Sequence, residues 1–137
     1  MGDFERKKNH KNVISGNEFY SILYERYGVM PPDKFDQDWE FTAGDSEHTE
    51  DYINFYEEYS LSSFQKLEIV NMIIQGFNDL IEENIDSNVL YRIWIRIKSI
   101  LESEKDFYYQ IIEYWSCMDI ELEEDRFYVS KFMRDLL

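Results

Sequence analysis

The stretch "SSFQKLEIVNMIIQGFNDLIEE", residues 62–83, constrains this chain more than any other. Phe64, Leu67, Val70, Ile73 or Ile74, Phe77, Leu80 and Ile81 recur in steps of three and four, so a helix lays them along one stripe. Ser62 or Ser63 offers a hydroxyl to cap the first turn. A helix of about 20 residues is about 30 Å long and cannot bury such a stripe against itself. Partner helices are required. Gly76 interrupts the run at some cost in propensity.

Candidate partners lie on both sides. "SGNE" at Ser15–Glu18 has capping-box spacing, and Phe19, Ile22, Leu23 and Tyr27 follow at helical intervals. Gly28 suits the C-terminal stop, and Pro31 and Pro32 cannot continue the helix, which predicts helix over 16–27. "DSNVLYRIWIRIKSILES" admits two readings. Ile93, Ile95 and Ile97 alternate as in a strand, whereas Leu90, Ile93, Trp94, Ile97 and Ile100 fit a helix, which the length and the Asp86, Ser87, Asn88 cap favour. "SEKDFYYQIIEYWSCM" predicts a further helix through Phe107, Ile111, Ile112, Tyr114, Trp115 and Met118, and "FYVSKFMRDLL" a short last helix or strand. The expected fold is all-α: a compact bundle of about five helices joined by acidic segments, with α+β as the minor alternative.

One domain accounts for 137 residues, with 15–137 as the helical body and 1–14 as a flexible basic tail carrying Arg6, Lys7, Lys8 and Lys11. An aromatic content of 18% argues against wholesale disorder. The formal charge of −15 repels nucleic acid and anionic membranes, so direct phosphate-backbone binding is not expected and a basic protein is the natural partner. No apolar run reaches the length of a membrane span, no signal-peptide pattern follows Met1, and Cys117 alone makes no internal disulfide. The expectation is a soluble cytoplasmic protein, monomeric or dimeric when alone.

Catalytic chemistry finds little footing. His10, His48 and Cys117 are scattered, without zinc-ligand spacing, and "DQDWE" lacks the glycine of a calcium loop, so neither metal nor cofactor is expected. His48 reads as a solvated loop residue. Cys117 reads as a small buried hydrophobe, because Glu113, Asp119 and Glu121 oppose thiolate formation. Arg92 and Arg96, four residues apart, are expected to pair with the protein's own carboxylates. No catalytic residue is assigned, and no enzyme is expected.

The charge is unevenly distributed. Ten carboxylates and one cation, Lys34, fall in residues 33–58, interleaved with Phe35, Trp39, Phe41, Tyr52, Phe55 and Tyr56. The first half reads as loop or short strand. In the second half, Tyr52, Phe55, Tyr56 and Tyr59 share one face of a short helix. Rings provide contact area at low entropic cost, and surrounding acids steer a basic partner. The candidate partner-binding residues are Asp36, Asp38, Trp39, Glu40, Asp51, Tyr52, Tyr56, Glu57 and Glu58, with Glu121, Glu123, Glu124 and Asp125 from the second acidic run "DIELEED".

The C-terminal stretch "FYYQIIEYWSCMDIELEEDRFYVSKFMRDLL", together with the length, acidity and aromatic richness, resembles small bacterial immunity proteins of contact-dependent growth inhibition and polymorphic toxin systems. The resemblance implies tight one-to-one binding of a cognate toxin domain, often a nuclease, without catalysis. Two other classes stay open: a nucleic-acid mimic of the anti-CRISPR or anti-restriction kind, which needs carboxylates along an extended face, and a metal-dependent enzyme using the acids as ligands.

Overall fold

Two capping boxes set where the first and the longest helices begin. The computed structural model describes residues 12–33 and 39–137. Helix α1 spans Gly16–Tyr27, as its spacing predicts. The Ser15 hydroxyl accepts from the Glu18 amide at 3.2 Å while the Glu18 carboxylate accepts from the Ser15 amide at 3.1 Å. Gly28 ends the helix at φ 73°, in the left-handed region. The central stripe forms α4, Ser63–Glu82, opened by the same reciprocal pair between Ser62 and Gln65.

Helix α4 is the spine of the molecule. It buries Ile69, Val70, Met72, Ile73, Ile74 and Phe77, each stabilising the fold by about 1.5–3 kcal/mol relative to an exposed position. Against it pack α2 (Trp39–Ala43), α3 (Thr49–Glu58) and α5 (Ser87–Ser103), the last settling the strand-or-helix ambiguity in favour of helix. Gly76 has a reason beyond tolerance. A Cβ there would lie 2.5 Å from both the Asp45 carbonyl and Thr49 Oγ1, and one on Gly44 would lie 2.7 Å from the Met72 carbonyl. The connection between α2 and α3 thus crosses α4 backbone to backbone.

The C-terminal part adds α6 (Tyr109–Ser116), a 3₁₀ turn at Glu123–Asp125 and α7 (Ser130–Arg134). Buried polar groups lock it to the spine. Trp115 Nε1 donates to Asn71 Oδ1 at 3.1 Å, the Val129 amide donates to Asn78 Oδ1 at 3.0 Å, and Ser130 Oγ donates to the Trp115 carbonyl at 2.7 Å. The architecture is all-α, as expected, with one two-residue parallel pair in which β1 (Asn12–Val13) meets β2 (Tyr59–Ser60). Among the described residues no helix is long and apolar enough to cross a membrane.

Several expectations are corrected. Residues 12–14 do not belong to a tail, because Asn12 and Val13 pair with β2 and Ile14 is buried; residues 1–11 lie outside the described part. Residues 39–43 are helical, not loop or strand. Helix α6 begins only at Tyr109, and Phe107, Tyr114 and Met118, expected on its apolar stripe, are exposed. Phe64, placed on the stripe of α4, is 65% exposed because that stripe meets no partner at its first turn.

Candidate functional site

Helix α3 carries most of the first candidate cluster, and its geometry divides rings from acids. Tyr52 and Phe55 are fully buried. Tyr52 stands edge-on to Tyr27 at 5.6 Å, and its hydroxyl donates to the Ala43 carbonyl at 3.3 Å. Tyr56 is half-buried, its hydroxyl 2.9 Å from that of the enclosed Tyr108. Trp39, on α2, is 6% exposed and donates from Nε1 to the Met30 carbonyl at 2.8 Å. Tyr52 and Trp39 are therefore core residues, Tyr52 wholly enclosed and Trp39 keeping an edge open to a neighbouring cleft. Asp36 and Asp38 lie outside the described residues.

The acids of α3 face outward and meet cations from neighbouring helices. Glu50 pairs with Arg92 at 2.6 Å and Glu57 with Arg96 at 2.9 Å. Glu58 takes a two-pronged contact from Arg26 at 2.8 and 3.2 Å, which holds its carboxyl below the usual range. The internal pairing expected for Arg92 and Arg96 is therefore observed. Asp51 Oδ2 lies 3.1 Å from His48 Nδ1. His48 is no solvated loop residue: its ring sits 5.5 Å from that of Tyr27 and 5.9 Å from that of Tyr52.

The second cluster differs in both respects. Glu121, Glu123, Glu124 and Asp125 are exposed and make no ion pair with any described residue, as do Glu113 and Asp119 just before them. Of the three cations that follow in sequence, Lys131 lines a concavity with Glu123 and Glu124, and the two arginines are engaged by main-chain oxygens. Arg126 donates to the Ile120 and Glu121 carbonyls, both at 2.8 Å, and Arg134 to the Ser116 and Cys117 carbonyls at 2.7 and 2.6 Å. Among these acids stand exposed Tyr109, Tyr114, Met118 and Leu122. Cys117 caps α6 at φ 51° with its thiol buried, so it offers no accessible nucleophile.

Two concavities flank α6 and meet at Gln110 and Tyr114. One, of about 800 Å³, is walled by Tyr109, Phe127, Glu113, Asp119 and Asp125. The other, of about 560 Å³, lies between α1, α2, α4 and α6. It is walled by Tyr20, Trp39, Phe64 and Phe107, with Glu40 at its edge and Glu68 in its wall. Neither is lined by lysine or arginine among the described residues. Glu68 is 7% exposed, and its carboxylate accepts one hydroxyl, Tyr20 Oη, at 2.8 and 3.1 Å. Burial pushes this carboxyl above the ordinary range, Tyr20 draws it back, and Glu40 adds to the rise.

The sequence reading missed Glu68, Phe64 and Phe107 as site residues. A signal was present: Glu68 falls four residues after Phe64 and four before Met72, on the face that meets the rest of the fold. Among the described residues no group of three or more His, Cys, Asp or Glu is placed to hold a metal ion. Comparison with known proteins yields no match: no family model, curated protein or solved structure is significantly similar to this chain.

Proposed function

We propose that this protein is a non-catalytic inhibitor of the immunity type, which binds and neutralises a basic protein, in the first instance a toxin domain, through the face formed by α6 and the acidic turn after it. The observation that carries this reading is that Glu113, Asp119, Glu121, Glu123, Glu124 and Asp125 form no ion pair with any described residue and are set among exposed Tyr109, Tyr114, Met118 and Leu122. Isolated carboxylates keep their charge in water, and their summed field accelerates encounter with a cationic surface. The adjacent rings provide the desolvated contact that holds the partner once docked. The acids of α3 contribute less, because their own cations already occupy them.

A compact patch supports an inhibitor over a nucleic-acid mimic, whose carboxylates must run along an extended face. The test starts from the reading frames that flank this chain's gene: where one encodes a toxin domain, that domain is co-expressed with this protein and titrated against it. The expected result is one-to-one association that weakens as salt rises, with toxicity suppressed. A Glu121→Lys, Glu124→Lys double variant should weaken association at least about tenfold while its thermal unfolding stays unchanged. Equal affinity in the double variant, or stoichiometric tight binding of manganese, magnesium or zinc in place of a protein, overturns the reading.

A further inference from the structure

Glu68 is a buried carboxylate that pairs with no cation among the described residues. Charged groups nine-tenths removed from water are ordinarily matched by an opposite charge or by several donors. Every described carboxylate of this chain that pairs with Lys or Arg does so at the surface: Glu50, Glu57, Glu58 and Glu104. Glu68 is left with a single neutral hydroxyl from Tyr20. Glu40 stands close enough to oppose its ionisation, so a cation seated here would meet two acids.

The surroundings are arranged for a cation. Tyr20 and Trp39 meet edge to face at 5.1 Å on one side of the cleft. Phe64 and Phe107 line it and remain partly open to solvent. Phe107 already has the Lys66 ammonium 6.0 Å from its ring centre, so cations are seated against this ring within the molecule itself. A cleft of about 560 Å³ that joins aromatic faces to a countercharge deficit matches a flat guanidinium with its aliphatic stem.

We infer that the cleft between α1, α2, α4 and α6 is a binding site for a cationic side chain, arginine for preference, with Glu68 as its charge partner, Glu40 as a second acid at its edge, and Tyr20, Phe64 and Phe107 as its walls. The inference rests on the reading of the α6 face as a docking surface, since the cleft adjoins that face at Gln110 and Tyr114 and would seat an arginine of the docked protein. Insertion completes the ion pair that Glu68 lacks and covers Phe64.

The site is testable without the partner. The isotope-labelled protein is titrated with N-acetyl-arginine amide and, separately, with the neutral isostere N-acetyl-citrulline amide. Nuclear magnetic resonance follows the Trp39 indole N–H and the Glu68 backbone amide. The arginine probe should give saturable shifts at both, and the citrulline probe none. Glu68→Gln should weaken the arginine probe at least about tenfold, and Phe64→Ala, a substitution at an exposed position, by about threefold. Equal response to the two probes, no saturable shift, or undiminished binding by a folded Glu68→Gln protein overturns the site. The Glu121→Lys, Glu124→Lys protein separates the two proposals. It should lose the partner yet bind the arginine probe as the parent does, so undiminished partner binding there with the probe retained overturns the docking-face reading without touching the cleft.

Discussion

Helix α3 and the segment from α6 through the acidic turn have much the same composition, rings alternating with carboxylates, yet they do different work. In α3 the rings fall on the buried face, and the acids are met by Arg26, Arg92 and Arg96 from α1 and α5. In the α6 segment the helix is short and lies at the edge, so Tyr109, Tyr114 and Met118 remain outside, while Glu113, Asp119, Glu121 and Glu123 to Asp125 form no ion pair with any described residue, although the neighbouring α7 carries Lys131 and Arg134. The same alphabet builds a wall in one place and, in the other, the exposed face that we propose as a docking surface. What decides is the neighbouring element, not the local sequence.

That contrast is open to measurement. The largest effect belongs to Tyr52→Ala, which should destabilise the fold by about 3–5 kcal/mol in denaturant titration, as a fully enclosed ring demands. Tyr109→Ala should stay within about 0.5 kcal/mol, and equal costs for the two would erase the distinction between wall and face. Next comes Gly76→Ala, predicted to cost about 1–3 kcal/mol because the added methyl collides with the Asp45 carbonyl and Thr49.

Glu68→Gln should act in the opposite direction, raising stability at neutral pH. The sign follows from its raised folded-state pKa. Below the ordinary value of 4.5 both folded and unfolded chains hold the proton, and the two proteins should unfold alike. As pH rises past that value the unfolded chain ionises first, so the parent loses stability through the window up to the raised pKa and the Gln variant does not. A gap between parent and variant that widens on acidification would contradict this. Glu57→Gln should likewise have a small effect, under about 1 kcal/mol, because its pair with Arg96 is a surface one.

Much of the fold is legible in the amino-acid order because its signals are local. "SGNE" and Gly28 delimit α1 to the residue, and the stripe of α4 is long enough to outvote its glycine. Tertiary facts were less accessible. Glu57 meets Arg96 across 39 positions of chain, so nothing in "NFYEEY" announces that its acids are already engaged. Phe64 and Phe107 obey the apolar pattern yet stand exposed, Phe64 in the first turn of α4 and Phe107 in the turn that precedes α6. The candidate cleft was invisible too, being assembled from α1, α2, α4 and α6.

The guanidinium groups of Arg126 and Arg134 grip main-chain oxygens at the bend after α6, not side-chain acids. A scaffold fastened in that way does not depend on long-range attraction between opposite charges. Concentrated electrolyte should therefore fade the halo of the acidic turn while leaving its contour intact, so that approach slows but the shape awaiting the visitor is preserved.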